Sequence, residues 1–397
     1  MNGERLTGPS FPEPGRRIGR RSQPAGVVPL TVDRSPFTVL IAGGGTGGHL
    51  MPALVLAEAI RREHPDWRVV LAGARRGLEA KLLPARDFPY HLLSAEPIYR
   101  RQWWKNLRWP FLGLRLVGEV KRLLERERPA LVIGTGGYAA GPVVWLAARR
   151  GIPTAVLELN AYPGLAVRWL ARSAREIWLG SPEARAYLRP GSHTEVLETG
   201  TPITPPDFSL RPRALADFGL DRSKRVLLVT GGSQGALAIN EVVGRWVESG
   251  GAEAVQLLWV TGKATFARFR RFHGPPAVQV YDFLDPIAPA YAVADLSLSR
   301  AGMMTLAELC AWGIPSILVP LPTAAAGHQS PNALAMEQAG AAIHLPQPEL
   351  TPERLTEVVT GVLQSPGRVA AMRQAALARA RSDSTATIMA RIGVYSG

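Results

Sequence analysis

Residues 39–60 read VLIAGGGTGGHLMPALVLAEAI. An apolar run stops at a block of glycines, and helical apolar spacing (Leu54, Ala57, Ile60) begins just beyond it. Pro52 suits a first helical turn, so the pattern predicts a strand over 37–42 and a helix over 52–63. Gly43, Gly45 and Gly48 fit G-x-G-x-x-G, in which bare backbone approaches a phosphate at a helix amino end. The dinucleotide version also wants an acid at the end of the second strand, where this chain reads AGARRG. An arginine there leaves an NADP site open, and a tight turn without ligand is the plainer alternative. His49 closes the loop at a helix amino terminus, where the dipole disfavours imidazolium. A neutral imidazole can act as a general base there, or can simply cap the loop or bond a carbonyl.

The same strand–loop–helix unit recurs outward from this stretch. Strands are expected at 67–73, 130–137, 153–159 and 176–180, with helices at 77–84, 141–150 and 164–172. After Gly200 comes TPITPPDFSLRP, a proline-dense joint without periodicity. The pattern then restarts, with strands at 225–235, 254–262, 278–284, 295–302 and 315–320 and helices at 236–248, 286–293 and 304–312. A helical tail at about 352–392 finishes the chain. Alternating strands and helices imply parallel pairing. The fold class is therefore α/β: two Rossmann-like, doubly wound parallel-sheet domains facing a central cleft, with ligand loops at the strand carboxyl ends. The expected divisions are a disordered tail over 1–35, an N-terminal domain over 36–202 and a C-terminal domain over 203–379.

Bulk properties narrow the class. A chain of 397 residues with 46% hydrophobic content builds two ordinary cores. Its one cysteine, Cys310, excludes an internal disulfide and fits a reducing compartment. The seven histidines show no metal-ligand spacing, and no metal or other cofactor is expected. No run of apolar residues is long enough for a membrane-spanning helix. The net charge of +14 is compatible with nucleic acid, an anionic membrane or an acidic substrate. No nucleic-acid motif accompanies it, so no nucleic-acid partner is expected.

Three further glycine-rich loops sit at strand ends: GTGGYAAGP (134–142), TGGSQGA (230–236) and SRAGMMTLAEL (299–309). Four such loops in two repeated halves point to a ligand more strongly than any one of them.

With LELN…GL…RWLA, GTPI and HQSPNALAMEQAGAA added, these motifs stand in the order and spacing of the MurG glycosyltransferases of family 28, which the chain resembles from about Phe37 onward. The resemblance implies a GT-B fold and a metal-independent, inverting hexosyltransferase. That enzyme moves N-acetylglucosamine from UDP-N-acetylglucosamine to the C4 hydroxyl of the N-acetylmuramoyl unit of lipid I, giving lipid II for peptidoglycan synthesis. It also implies that the last helix, 380–397, packs back on the first domain. By matching positions, Glu308 binds the ribose, the Leu284 main chain reads uracil, and Ser233, Gln234, Arg300 and Thr305 lie near the nucleotide phosphates. Gln329, Asn332, Met303 and Asn160 fall at sugar-contacting positions. Thr46, Gly47, Gly48 and Thr204 complete the donor side. Gly45, Gly136, Gly137 and Tyr138 face the acceptor, and His49 is the catalytic base with Glu158 behind it.

Three places depart from the family pattern. N-P-V-R reads Thr201-Pro202-Ile203-Thr204, losing a cation unless Arg211 or Arg213 replaces it. H-E-Q-N reads Leu157-Glu158-Leu159-Asn160, and the Q-Q pair reads His328-Gln329. The rival readings are a related transferase with another lipid acceptor, such as diacylglycerol, and an inactive nucleotide-sugar-binding partner subunit.

The stretch 98–129 interleaves aromatics with cations: Arg101, Trp103, Trp104, Trp109 and Phe111 stand among nine Lys/Arg and three Glu. Rings with flanking cations suit a bilayer interface with anionic lipid. A helix with core aromatics and a solvated basic face is the plainer alternative. The expected location is peripheral, on the cytoplasmic face of the cell membrane, alongside the cell-wall synthesis machinery.

Overall fold

The computed structural model describes residues 36–45, 47–97, 104, 108–232, 235–324 and 327–396. The expected tail over 1–35 and the site residues Thr46, Arg101, Trp103, Ser233 and Gln234 lie outside the described residues.

The first sheet consists of β1 (Thr38–Gly43), β2 (Arg68–Ala74), β3 (Tyr90–Leu93), β4 (Leu131–Gly136), β5 (Thr154–Glu158), β6 (Glu176–Leu179) and β7 (Glu195–Leu197). The second has β8 (Arg225–Thr230), β9 (Val255–Val260), β10 (Val278–Tyr281), β11 (Leu296–Ser299), β12 (Ser316–Leu318) and β13 (Ala342–His344). Their orders are 3-2-1-4-5-6-7 and 10-9-8-11-12-13. All named pairings are parallel. Each sheet reverses its winding between its first and fourth strands, the place where a doubly wound sheet opens a crevice.

Helices α1 (Gly47–Glu63), α2 (Glu79–Leu82), α3 (Trp109–Glu127), α4 (Gly137–Arg149) and α5 (Leu165–Leu170) belong to the first half. The second half carries α6 (Arg211–Asp217), α7 (Leu237–Glu248), α8 (Phe266–Phe269), α9 (Ala288–Val293), α10 (Met303–Trp312), α11 (Gln329–Gln338), α12 (Pro352–Leu363) and α13 (Pro366–Arg379). The chain ends in α14 (Ser384–Gly393).

Strand period sorts the first core. Leu40 and Ala42 join α3, α4 and α5 on one face, while Val39 and Ile41 join α1 on the other. The second face also holds Ile388, Met389 and Ile392 of α14, so the end of the chain is built into the core of the first half.

Polar contacts secure that return. The Ser384 and Thr385 hydroxyls donate to the carbonyls of Thr201 and Ile203, fixing the proline-dense joint. Buried Glu176 accepts from Arg391, Tyr395 and Trp178. Burial alone pushes its pKa up, but these donors outweigh burial and hold it below the usual carboxylate range.

Two local expectations differ. Helix α1 begins at Gly47, so Pro52 lies inside it rather than in its first turn and withholds the amide that would bond Gly48. The short strands β3, β7 and β13 extend the sheets beyond the predicted strands. Among the described residues no helix is long and apolar enough to cross a membrane.

Arg391→Ala leaves the buried Glu176 carboxylate short of its cation and should cost about 2 kcal/mol at neutral pH, measured by urea denaturation. Because the folded-state pKa of Glu176 is depressed, its contribution is complete above the unfolded carboxylate pKa and lost as pH falls below it. The wild-type advantage over Arg391→Ala should therefore shrink on acidification.

Candidate active site

The glycine loops after β1 and β4 interlock around one side chain. His49 stands in the first turn of α1, and its carbonyl accepts from the Thr135 hydroxyl at 2.8 Å. A Cβ on Gly136 would lie 2.5 Å from His49 Cδ2, and one on Gly137 would lie 1.9 Å from the Gly44 carbonyl oxygen. Both glycines have positive φ, at 101° and 81°. These glycines make room for the imidazole and the neighbouring loop as well as bending the chain. Tyr138 packs on the first loop, where a Cβ on Gly45 would lie 2.6 Å from its ring.

His49 is half-buried in the cavity wall, and loss of solvent is the main influence that favours its neutral form. Burial pulls its pKa down, the nearby charge of His328 adds to the effect, and a hydrogen bond with the Gly44 main chain resists it. The result is about 4. His328 arrives from the second half, so two imidazoles meet in a cavity of about 960 Å³. Its inner wall also includes Gly136, Gly137, Tyr138, Glu158 and Asn160.

Glu79 was missed by the sequence reading. Its carboxylate is fully buried and accepts the Gly45 amide on both oxygens at 2.9 and 3.0 Å, and the Ala74 amide at 2.7 Å. A Cβ on Gly44, Gly73 or Gly77 would each collide with it, so three glycines are shaped around this one acid. The Gly45 amide is thereby turned inward and is not offered to a ligand, which also takes from an NADP site the amide its pyrophosphate would use. Gly47 and Gly48 stand in the first turn of α1, where a helix leaves its amides without intrahelical partners.

Several residues expected at ligand contacts make hydrogen bonds within the protein. Glu158 accepts from the Asn160 main chain and side chain and from the Gly164 amide. It organises its own loop, and burial raises its pKa against those bonds. Asn332 is 1% exposed, accepts the Ala161 amide at 2.9 Å and donates to Asn160 Oδ1 and the Ala301 carbonyl at 3.2 Å. In this arrangement Asn160 and Asn332 clasp the two halves together. Met303 and Met304 reinforce the clasp by packing onto the first half's core.

Arg300 is buried and donates to the Val319 and Pro320 carbonyls and to Gln347. Burial lowers its pKa to about 10, so it stays cationic but spends these donors on the fold. Glu308 accepts the Tyr291 hydroxyl at 2.8 Å, and burial raises its pKa against that bond. Leu284 packs on the core beneath α9, and Gln329 accepts the Leu321 amide. Thr305 is half-buried at the start of α10, and Thr204 is exposed.

The departures from the family pattern have local explanations. Leu157 and Leu159 are buried in the apolar cluster shared with α1, where hydrocarbon fits. Arg211 donates to the Ala292 carbonyl, and Arg213 pairs with Asp217 on its own helix. Among the described residues no group of three or more His, Cys, Asp or Glu is arranged to hold a metal ion.

On the surface, Trp104 and Phe111 are exposed, together with Leu114, Leu165 and Trp169. Trp109 differs from them: it is half-buried and forms a cavity wall.

Two parallel sheets of matching order, joined by a proline-rich segment and closed on a glycine-lined cavity, define the GT-B architecture of nucleotide-sugar transferases. Models of the glycosyltransferase family 28 N-terminal and C-terminal domains match residues 39–179 and 226–388. A UDP-N-acetylglucosamine–N-acetylmuramyl-(pentapeptide) pyrophosphoryl-undecaprenol N-acetylglucosamine transferase of Desulfitobacterium hafniense is 37% identical over 87% of this chain and 95% of that protein. One of the same name from Salinibacter ruber is 38% identical over 89% and 95%. The crystal structure of Acinetobacter baumannii MurG superposes with a TM-score of 0.72 at 26% identity, covering 90% of this chain and 99% of that one. The calicheamicin glycosyltransferase CalG4, at 18% identity and a TM-score of 0.62, shares the fold. The chain belongs to glycosyltransferase family 28.

Glu79→Ala orphans two buried amides and should cost about 3 kcal/mol of stability by urea denaturation. Asn332→Ala should loosen the two halves and raise the radius of gyration measured by X-ray scattering; unchanged scattering would show that the clasp is dispensable.

Proposed function

We propose that this chain transfers N-acetylglucosamine, with inversion, from UDP-N-acetylglucosamine to the C4 hydroxyl of the N-acetylmuramoyl unit of lipid I, giving lipid II. Family membership across both halves supports the reaction class. The observation that carries the mechanism is a neutral imidazole, His49, held between two glycine loops where the halves meet.

His49 takes the proton from the attacking hydroxyl. A pKa near 4 makes a weak base, but two bound diphosphates favour the charged imidazolium and move it toward neutrality. The amides at the starts of α1 and α10 face developing negative charge, including that on the departing UDP. Glu308 takes the ribose hydroxyls by exchanging its bond to Tyr291. Arg300 contributes positive potential from behind the site rather than a direct bond. The Asn160–Asn332 clasp closes the halves and excludes water that would hydrolyse the donor.

The enzyme works as a peripheral protein on the cytoplasmic membrane face. Exposed Trp104, Phe111 and Leu114 beside basic side chains supply the docking surface.

His49→Ala should lower transfer about 10³-fold while donor affinity is retained, and Glu308→Ala should weaken donor binding itself. Retained transfer in His49→Ala would contradict the assignment. The base must be neutral, so activity falls as pH drops through its pKa. The acid limb of kcat should lie at higher pH than that of kcat/KM, because the first reports the complex with its added anions. His328→Gln removes a charge that depresses His49 and should move the kcat/KM limb upward.

A further inference from the structure

The cavity that ends at His49 is larger and more apolar than the chemistry at its inner end requires. At about 960 Å³ it lies near the top of the range for small-molecule pockets. Away from the glycine loops its walls are Trp109 and Val117 of α3, Trp145 of α4, and Leu165, Ala166 and Trp169 of α5. The Trp145 and Trp169 rings pack 5.9 Å apart. The same helices then carry apolar side chains out to the surface, where Phe111 is 81% and Leu114 78% exposed. Leu165 and Trp169, which line the cavity, are themselves 61% and 53% exposed, so the apolar wall of the cavity reaches the outer face.

We propose that this cavity is a subsite for the first isoprenyl units of the acceptor's polyprenyl chain, with the attached diphosphate at the glycine-loop end. The proposal rests on the lipid-linked acceptor reading above. The sugar and peptide parts of such an acceptor are rich in amides and hydroxyls, which these walls would leave unpaired at a cost. The hydrocarbon next to the diphosphate has no such groups, and burying it in an apolar cavity is favourable. Chain units bound here orient the diphosphate, and through it the C4 hydroxyl, toward His49. This subsite is separate from membrane docking, because it works on a single acceptor molecule without a bilayer.

Gly113 of α3 lines the cavity, and a Cβ built there meets nothing within 4 Å. Gly113→Phe places a ring in that space, whereas Gly113→Ala adds only a methyl group. Transfer is measured without vesicles on acceptors sharing one diphospho-N-acetylmuramoyl head and carrying one, two or four isoprene units, each below its aggregation concentration. In wild type and Gly113→Ala, kcat/KM should rise about tenfold from the shortest to the longest chain. In Gly113→Phe the profile should be flat, with the loss in KM, and UDP-N-acetylglucosamine affinity reports that the protein is folded. Ala166→Phe, on α5 in the same cavity, should flatten the profile in the same way. A flat profile in wild type, an undiminished slope in both Phe variants, or a rise seen only with vesicles would overturn the subsite. Absence of transfer to every acceptor, with donor still bound, would instead remove the acceptor reading and the subsite with it.

Discussion

The His49 imidazole occupies space that a side chain at Gly136 would fill, and the rest of the site is arranged around that contact. The loop after β1 delivers the imidazole, and the loop after β4 receives it. Thr135 ties the two loops through the His49 carbonyl. Beneath them, Glu79 holds the Gly45 and Ala74 amides in a pocket cut by three glycines. Among the described residues no cation pairs with Glu79, and a buried carboxylate of that kind is costly unless amides donate to it, as the Gly45 and Ala74 amides do here. The anion under this loop therefore belongs to the protein. Its bonds set the backbone that positions His49.

The second constraint is the joining of the halves. Asn332 spends its amide on Asn160, Ala161 and Ala301, while α14 crosses back to seal the first core and pin the joint. Closure is therefore built from polar side chains of Asn160 and Asn332 as well as from the hinge.

Much of the architecture was legible in the chain. Strands buried on both faces read as continuous aliphatic runs, and β1, β4 and β8 ended at glycines, so both parallel sheets could be read from 39–60 outward. The short strands β3, β7 and β13 escaped because three or four residues carry little period. His49 stood out as a polar residue closing a glycine loop, although burial, more than the helix dipole, keeps it neutral. Glu79 was hidden because an acid at a helix start reads as ordinary; only the fold brings Gly44, Gly73 and Gly77 around it. The Asn160–Asn332 contact spans 172 positions, and the carbonyls that occupy Arg300 lie on a later strand end. No local pattern encodes either contact.

The central claim is inverting sugar transfer at a single neutral base. The most direct measurement is the anomeric configuration, by NMR, of the disaccharide formed from UDP-N-acetylglucosamine and a lipid I analogue. The account predicts a β-1,4 linkage from the α-configured donor. An α-linked product, or release of free N-acetylglucosamine with no disaccharide, would contradict it.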